Sequence, residues 1–331
     1  MSLLEVKNLK MYYPVHGGVM KKQVGEVKAV DGVSLKIKKG ETLGLVGESG
    51  CGKSTLGKSL VRLLKPTSGE ILFQGQDLAQ MSQKELRPLR RDLQMVFQDP
   101  AESLNPKMTV NELLMEPLII HGLCAPEERE KRVKKLLNQV GLPSSAYGKY
   151  AFEFSGGQRQ RIGIARALAV EPQLMVLDEP VSALDVSVQA QVLNLLMELQ
   201  EEMGLSYLFI AHDLSVVKHI SDRVAVMYLG KIVEEAPAQA LYKDPLHAYT
   251  KALIDSIPQP VPGRKVKRKL VEGDVPTPLD PPAGSAFGFR IGHERYEETV
   301  GQDLTPVSVG QDRRVAPDPC CVENLDALIK G

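Results

Sequence analysis

Short apolar runs alternate with helical stretches along most of this chain. Patterns typical of buried strands occur at Thr42–Val46, Leu174–Leu177, Tyr207–Ile210 and Arg223–Tyr228. The stretch Val188–Met203, between two of these runs, has the pattern of a helix. Strands that alternate with helices predict an α/β fold with a mostly parallel sheet. The chain is again helical from Met108 to about Val170, with Pro117 among its predicted breaks, which indicates a helical subdomain inserted into that sheet.

Both ends of the chain depart from this alternation. Residues Leu3–Tyr13 and Val27–Ile37 are rich in β-branched and apolar residues and predict two strands, with His16–Gly25 as a loop between them. Residues 258–331 are rich in Pro, Gly and charge and contain few periodic segments. This last part is therefore either a small folded appendage or a partly disordered tail.

Composition narrows the classes of protein to which the chain can belong. It has 331 residues, and Lys+Arg and Asp+Glu both total 41, so no net charge favours nucleic acid as a partner. No apolar run approaches the roughly 18 residues of a membrane span, and the first residues lack the basic-then-apolar order of a secretion signal. The four cysteines show no C-x-x-C spacing and no disulfide framework. A reduced, cytosolic protein is expected.

A phosphate-binding loop is the strongest chemical signal in the sequence. Residues Gly47–Ser54 read G-E-S-G-C-G-K-S and fit the G-x-x-x-x-G-K-[ST] pattern at every position. They follow a strand and precede a helix predicted over Lys53–Leu64, a context that a chance Gly-rich turn would lack. Loop N–H groups and the positive helix end would bind phosphates, with Lys53 on the β- and γ-phosphates and Ser54 on Mg²⁺. The predicted nucleotide-binding residues here are Gly47, Glu48, Ser49, Gly50, Cys51, Gly52, Lys53, Ser54 and Thr55.

Two adjacent acids end the buried strand that begins at Leu174. Open α/β sheets place their ligands at the carboxyl ends of the strands, where Asp178 and Glu179 emerge. Asp178 is then a candidate Mg²⁺ ligand, and Glu179 is a candidate base that orients and deprotonates the attacking water. A solvated strand end would explain the pair if it stood alone. The phosphate loop in the same chain favours the catalytic interpretation.

A second anion site is predicted where Ser155-Gly156-Gly157-Gln158 opens a helical stretch. A serine and two glycines at a helix start leave several N–H donors without intrahelical acceptors. A simple N-cap with glycine in a turn is the alternative interpretation.

With this segment, F-S-G-G-Q at Phe154–Gln158, the sequence resembles the ATPase subunits of ABC transporters, whose signature motif is L-S-G-G-Q. The resemblance covers about residues 3–257 and implies a P-loop NTPase fold of the ABC type. That fold has a mostly parallel core sheet, an N-terminal antiparallel β-subdomain, a helical subdomain at about 108–170 and a C-terminal appendage. Residues 1–257 would be the nucleotide-binding domain, and 258–331 a family-specific tail.

The resemblance also implies roles for further residues. Gln98 matches the Q-loop glutamine that contacts Mg²⁺ and water, and Asp185 lies in S-A-L-D, which matches the D-loop at the dimer interface. His212 matches the switch histidine that contacts the γ-phosphate. Tyr13 matches the aromatic residue that stacks on adenine, although a core or edge-strand tyrosine and the adjacent Tyr12 are alternatives. In the family, the signature helix of one subunit closes over ATP held by the phosphate loop of another.

Finer features resemble the oligopeptide and dipeptide importer ATPases, a group that includes nickel and other small-solute importers. They are F-Q-D-P-A-E-S-L-N-P at Phe97–Pro106, P-V-S-A-L-D-V-S at Pro180–Ser187 and P-L-H-A-Y-T-K-A-L at Pro245–Leu253. The resemblance implies transmembrane permease subunits and a second ATPase subunit, identical or different, as partners, and a solute-binding protein as an indirect one. It also implies a peripheral position on the cytoplasmic face of the inner or plasma membrane, with no nucleic acid bound.

The tail departs from this branch in its cysteines. Members often carry cysteines after a Pro-Pro-x-Gly turn that bind an iron–sulfur cluster, whereas Ser285, Ile291 and Glu298 stand at those positions here. Cys320 and Cys321 are too few and too close together for a four-thiolate site. No iron–sulfur cluster is therefore predicted. The basic run 264–269 is interpreted as a solvated linker, with contact to anionic lipid as the alternative.

Two other classes of protein are consistent with part of the pattern. A soluble ABC ATPase that acts on nucleic acid is one, but such proteins usually have a long coiled-coil insertion or two ATPase domains. A non-catalytic nucleotide-binding regulator is the other, but it would have lost Glu179 or His212, and both are present. An ATP-hydrolysing subunit of an importer, for peptides or alternatively for nickel or another small solute, is the prediction.

Overall fold

A computed structural model describes residues 2–17, 22–99, 103–257, 273–310, 312–324 and 327–328. The chain divides into two compact units. We call residues 1–3, 37–42 and 80–210 the helical unit, and residues 4–36, 43–79 and 211–331 the phosphate-loop unit. The division at residue 257 inferred from the sequence stays a prediction.

The bounds of the strands and helices are as follows. The strands are β1 Ser2–Gly17, β2 Lys22–Lys38, β3 Thr42–Val46, β4 Ser68–Phe73, β5 Gln76–Asp77, β6 Leu93–Val96, β7 Leu174–Asp178, β8 Ser206–Ala211, β9 Arg223–Tyr228, β10 Lys231–Pro237, β11 Val307–Ser308 and β12 Arg314–Val315. The α-helices are α1 Lys53–Leu60, α2 Gln83–Leu89, α3 Val110–Ile120, α4 Pro126–Gln139, α5 Gly156–Leu168, α6 Val186–Met203, α7 Leu214–Ile220, α8 Ala238–Lys243, α9 Ala248–Asp255 and α10 Ala286–Arg290. No described helix has both the length and the apolarity that a bilayer span needs.

An antiparallel sheet of order β2-β1-β4-β5 is built by the N-terminal residues. The loop predicted over His16–Gly25 is wrong at both ends, because β1 extends to Gly17 and β2 already begins at Lys22. Paired strands form hydrogen bonds between backbone N–H and C=O groups, and these bonds do not depend on the side chains. Polar residues can therefore extend the strands where the sheet faces water. Strands β1 and β4 pair through Leu4 and Phe73, and the register shifts between Lys7 and Lys10.

The phosphate-loop unit also contains strands in the order β11-β12-β10-β9-β3. Strand β3 lies parallel to β9, and β10 and β12 continue antiparallel. The C-terminal part therefore includes a folded appendage, since β12 pairs with β10 through Val315 and Glu234. The basic run 264–269 lies outside the described residues.

The helical unit places three strands side by side in the order β8-β7-β6, and both pairings are parallel. Every residue of β7 and of β8 is buried, which explains the apolar runs seen in the sequence. Residues 108–170 contain α3, α4 and α5, so the predicted helical insertion is confirmed.

Two predicted helix boundaries are wrong. Helix α3 continues through Pro117. A proline inside a helix removes one backbone hydrogen bond and costs about 3 kcal/mol of stability. Burial of Leu113, Leu114 and Leu118 on this helix contributes about 1.5–3 kcal/mol each and offsets that cost. Helix α1 ends at Leu60 rather than Leu64, because Arg62 adopts a left-handed backbone with φ 55° and donates through Nε to the Leu78 carbonyl at 2.7 Å.

Candidate active site

The phosphate loop connects β3 to α1 in a path that only glycine can follow at two positions. Gly47 has φ 157° and Gly52 has φ 106°. A Cβ on Gly47 would overlap the Met227 carbonyl, and one on Gly52 would overlap the Ala29 carbonyl. Gly52 caps α1 without any side-chain bond, so the first N–H groups of the helix keep their capacity to bind an anion.

Lys53 is 4% exposed and folds back over this loop. Its Nζ donates to the carbonyls of Gly47 at 2.8 Å and of Glu48 at 2.9 Å. The ammonium group is therefore held inside the loop by neutral acceptors, namely these two carbonyls and the Cys51 sulfur at 3.9 Å. Because a phosphate oxygen is a stronger acceptor than a carbonyl, an incoming triphosphate can compete for these donors.

The thiol of Cys51 is buried inside the same loop. Burial raises the pKa of Cys51, and the ammonium of Lys53, 3.9 Å from the sulfur, only partly opposes this shift. A neutral thiol follows, since the low dielectric disfavours the thiolate more than the nearby cation favours it. Cys51 therefore fills space under the loop.

Glu48 connects the loop to the C-terminal part of the chain, and no sequence pattern predicts this link. Both of its carboxylate oxygens accept from Arg290 Nη1, at 3.0 and 2.9 Å. Its backbone N–H donates to the hydroxyl of Tyr249 at 2.9 Å. Arg290 ends α10 and Tyr249 lies in α9, so both elements brace the phosphate loop.

The tyrosines of β1 separate into two roles. The hydroxyl of Tyr12 donates to Asp31 at 2.5 Å, and burial together with this carboxylate raises the pKa of Tyr12. Tyr13 is half-buried on the opposite face of the strand, since successive side chains alternate. This leaves Tyr13 as the candidate for adenine stacking. His212 is exposed immediately after β8, in the loop before α7.

In the helical unit, Gln98 and Glu179 are brought together. Gln98 Nε2 donates to Glu179 Oε2 at 3.2 Å, although 81 residues separate them. Asp178 is buried at the end of β7, with 3% exposure. Glu179 has φ 47°, a left-handed conformation that is strained for a residue preceding proline. The Glu179 N–H donates to the Ile210 carbonyl at 2.9 Å, and this bond holds the turn in place.

The predicted signature helix is α5, and Ser155 is its N-cap. Ser155 Oγ accepts from the Gln158 N–H at 3.4 Å, and Gln158 Oε1 accepts from the Ser155 N–H at 3.0 Å. This capping box leaves the N–H groups of Gly156 and Gly157 without intrahelical acceptors. The two interpretations of S-G-G-Q are thus compatible, because the N-cap itself presents the donors.

The predicted D-loop precedes α6, with Asp185 exposed as the N-cap of that helix. Gln189 Nε2 donates to the carbonyls of Val181 at 3.0 Å and Leu184 at 2.9 Å. Gln189 therefore fixes the path of this loop, a role that sequence reasoning missed because a glutamine on a helix surface carries no pattern. The candidate residues fall in both units: Tyr13, the phosphate loop and His212 in one, and Gln98, Ser155–Gln158, Asp178, Glu179 and Asp185 in the other.

The residues of the C-terminal part do not fit an iron–sulfur cluster. Cys320 and Cys321 are adjacent and buried, and Ser285 lies 3.7 Å from the sulfur of Cys321 where a cysteine ligand would be expected. A cubane cluster takes four thiolates, and the chain has only two cysteines in this region. The absence of a cluster stays a prediction.

Together, parallel strands, a phosphate loop and a capped S-G-G-Q helix define a P-loop nucleotide-binding protein of the ABC type. The family model described as ABC transporter matches residues 30–182, and the one described as oligopeptide/dipeptide transporter, C-terminal region, matches residues 233–295. The chain belongs to the ABC transporter family of ATP-binding subunits, which are ATPases coupled to transport, in the branch that carries this C-terminal region.

Two proteins of similar sequence match most of the length of this chain. The chain is 55% identical over 292 residues to the oligopeptide transport ATP-binding protein AppF of Bacillus subtilis (strain 168), covering 87% of this chain and 89% of that protein. It is 51% identical over 315 residues to a putative peptide import ATP-binding protein of Brucella ovis, covering 95% of each.

Solved structures give the same fold. The chain resembles the ATP-binding cassette MJ0796, solved as a dimer in a post-hydrolysis state bound to ADP and Pi, with TM-score 0.63 and 32% identity. That match covers 71% of this chain and 98% of the other. CbiO1 of Clostridium perfringens, part of an ABC transporter complex, matches with TM-score 0.62 and 30% identity, covering 73% and 91% of the two chains. The predicted α/β fold of the ABC type is confirmed.

Proposed function

We propose that this chain hydrolyses ATP to energise an importer of di- or oligopeptides. The observation that carries the ATPase part is the phosphate loop, in which Lys53 is held by carbonyls that a phosphate can replace. Lys53 then neutralises the β- and γ-phosphates, and Glu179 orients and deprotonates water. Gln98 positions Glu179, and His212 contacts the γ-phosphate. Tyr13 stacks on adenine.

Mg²⁺ would be held by the Ser54 hydroxyl, the Asp178 carboxylate and the Gln98 amide. All three offer the oxygen ligands that this hard cation prefers, and Ser54 lies in the first turn of α1, where phosphate oxygens would complete the shell. When bound, the ion would neutralise charge that develops on the phosphates.

The nucleotide site is tested by removing the ammonium group of Lys53. Lys53→Ala eliminates charge-assisted bonds to phosphate, so ATP affinity should fall on the order of 10–100-fold, and turnover should be lost. Lys58→Ala, five residues along the same helix, is the matched control and should behave as wild type. Equilibrium binding of ATP and steady-state phosphate release measure the two effects. Unchanged affinity in Lys53→Ala would refute the assignment.

We further propose that ATP is clamped between two ATPase subunits. Support comes from the bare N–H groups of α5 in this chain and from the dimer reported for the MJ0796 cassette. Ser155 to Gln158 would cap the γ-phosphate in trans, and Asp185 would lie near the interface. Mixing Ser155→Arg with Lys53→Ala subunits should restore one intact site per pair. Mixed dimers with no more ATPase activity than either variant alone would contradict the shared site.

Peptide cargo is supported by the names of the similar proteins and by the matching C-terminal region. The chain would act peripherally, on the cytoplasmic face of the inner or plasma membrane. It would bind permease subunits there, together with an identical or different second ATPase, and would meet a solute-binding protein only indirectly.

Cargo is best tested on the complete complex in proteoliposomes. Peptide-loaded binding protein should stimulate ATP hydrolysis and peptide uptake together, and the Glu179→Gln complex should do neither. Stimulation by a nickel-loaded binding protein, with no response to peptides, would reassign the cargo to nickel and leave the ATPase role intact. Failure of all cargo to stimulate a complex that hydrolyses ATP would favour a soluble, non-transport role.

A further inference from the structure

A buried cluster of three different metal-binding side chains lies in the phosphate-loop unit, on residues that follow β10. His247, Asp318 and Cys321 each offer one ligand atom, and these atoms all lie within 4.8 Å of one another. The three side chains are 1%, 3% and 4% exposed. Polar groups buried this deeply need partners, because each has given up its bonds to water.

One of these groups lacks a hydrogen-bond partner, and another lacks a lysine or arginine as counter-charge. His247 Nε2 is buried without a hydrogen-bond partner among the described residues, and it lies 3.8 Å from Asp318 Oδ2, too far for a hydrogen bond. No lysine or arginine of the described residues forms an ion pair with Asp318. A buried carboxylate that no lysine or arginine neutralises, beside a buried ring nitrogen without a hydrogen-bond partner, is an arrangement that a bound cation would stabilise.

A hydrolytic triad would be another use of such a cluster, but the order of the groups is wrong. Ser285 Oγ donates directly to Asp318 Oδ2 at 2.5 Å, so the acid lies between the hydroxyl and the imidazole. A serine nucleophile needs the imidazole next to its hydroxyl, to accept the proton.

We propose that His247, Asp318 and Cys321 form a three-ligand site for a transition-metal dication of borderline softness, represented by Zn²⁺. Imidazole, carboxylate and thiolate together are the ligand types of zinc, whereas Ca²⁺ and Mg²⁺ prefer oxygen alone. Tetrahedral zinc places neighbouring ligand atoms about 3.5 Å apart. The distance from His247 Nε2 to Asp318 Oδ2, 3.8 Å, is already close to this value. The longest separation between ligand atoms, at most 4.8 Å, would shorten by roughly an ångström on binding.

The surroundings supply the other parts of such a site. The Asp318 carboxylate accepts a hydrogen bond from the Ser285 hydroxyl and another, at 2.9 Å, from the Cys320 N–H. Carboxylates that bind metal ions are commonly oriented by hydrogen bonds of this kind. A cavity of about 320 Å³ opens onto His247, Ser285 and Asp318. It provides an entry path and room for a water molecule as the fourth ligand.

Binding requires two protons to move. The Tyr249 N–H donates to His247 Nδ1 at 3.1 Å, so the neutral ring carries its proton on Nε2 in the metal-free protein. Ligation through Nε2 transfers that proton to Nδ1, breaks this helix-cap bond and lowers affinity by about tenfold. Cys321 releases its thiol proton to solvent and binds as thiolate.

The test uses the full chain, purified with reductant under anaerobic conditions, with Zn²⁺ and Co²⁺ as probes. Wild type should bind one Zn²⁺ per chain, melt at a higher temperature with it, and show a thiolate-to-cobalt charge-transfer band with Co²⁺. Cys321→Ser should lose that band and on the order of 100-fold in Zn²⁺ affinity, with a similar loss for His247→Gln. Cys124→Ser, which removes a thiol outside the cluster, is the control and should match wild type.

The cobalt spectrum of the wild type keeps the test decisive even if a variant fails to fold. Absence of both zinc binding and the cobalt band in wild type would overturn the proposal. So would undiminished affinity in a folded Cys321→Ser chain, or the visible absorbance of an iron–sulfur cluster in the isolated protein. None of these outcomes depends on ATP hydrolysis, so the proposal stands or falls separately from the proposed function.

Discussion

Glu179 is held in a left-handed backbone conformation that few residues tolerate. Its φ of 47° and its place before Pro180 cost of order 1–3 kcal/mol, and the contact with Gln98 accompanies this strain. Backbone strain that is retained at an acidic residue next to a strand end is typical of a residue held in position for catalysis. A solvated strand end would relax instead.

Replacing this carboxylate while keeping its shape should separate binding from chemistry. Glu179→Gln should lower ATP turnover by roughly 10²–10⁴-fold and leave ATP affinity near the wild-type value, because only the base is lost. Glu198→Gln, an exposed position on α6, is the matched control and should keep full turnover. Phosphate release and ATP binding measure both. A Glu179→Gln chain with normal turnover would remove the residue from its role.

Cys51 should react slowly with thiol reagents despite its place in the phosphate loop. Burial raises the pKa of Cys51, so the reactive thiolate is scarce at neutral pH. Cys124, which is only partly buried, should be alkylated first in the folded protein. Mass spectrometry after timed alkylation follows each site, and unfolded protein, in which all four cysteines react, is the reference. Labelling of Cys51 as fast as Cys124 would contradict this picture.

At the scale of elements, helices α5 and α6 are in contact through a glycine of the signature segment. A Cβ on Gly157 would overlap Val188 Cγ1, whereas a Cβ on Gly163, about 1.7 turns further along α5, meets nothing within 4 Å. The same substitution should therefore have opposite effects at the two positions. Gly157→Ala should destabilise the protein by about 1–3 kcal/mol through overpacking.

Gly163→Ala should stabilise it by about 0.4–1 kcal/mol, because alanine loses less backbone entropy on folding. Chemical denaturation of both variants measures these changes. Gly157→Ala combined with Val188→Ala should recover part of the loss, since the clashing methyl is removed. Equal effects at the two glycines would show that the helices do not pack as described.

The contact of α10 with the phosphate loop should be visible in nucleotide affinity. Arg290→Ala leaves the Glu48 carboxylate without its counter-charge close to the phosphate-binding backbone. ATP affinity should fall by about 3–10-fold, corresponding to roughly 1 kcal/mol of repulsion. Adding Glu48→Gln should restore it, while Arg295→Ala, which breaks an exposed pair with Glu298, should have no effect. If Glu48→Gln restores nothing, the ion pair does not act on the nucleotide.

For the whole molecule, the sequence predicts what is local or repeated and misses what depends on distant contacts. Strands β3, β7, β8 and β9 were predictable because a buried parallel strand is apolar throughout. The phosphate loop and the signature segment were predictable because close backbone approach and capping restrict residue types.

Other features had no such signal. The pairing of β12 with β10 joins residues that are far apart in a segment rich in proline and charge. The bonds from Arg290 to Glu48 connect positions 242 residues apart, and no local pattern marks either one. Helix α3 passes through Pro117 because leucine burial outweighs a local propensity, which only tertiary packing can decide.

The central claim is that each ATP is bound between two ATPase subunits, and ATP-dependent association tests it most directly. Sedimentation velocity of the Glu179→Gln chain, alone and with the second ATPase subunit of its complex, should be compared with Mg²⁺ and either ATP or ADP. The account predicts a dimer with ATP and separate subunits with ADP, and Ser155→Arg in both subunits should abolish the dimer. Subunits that bind ATP but stay separate in every combination would contradict it.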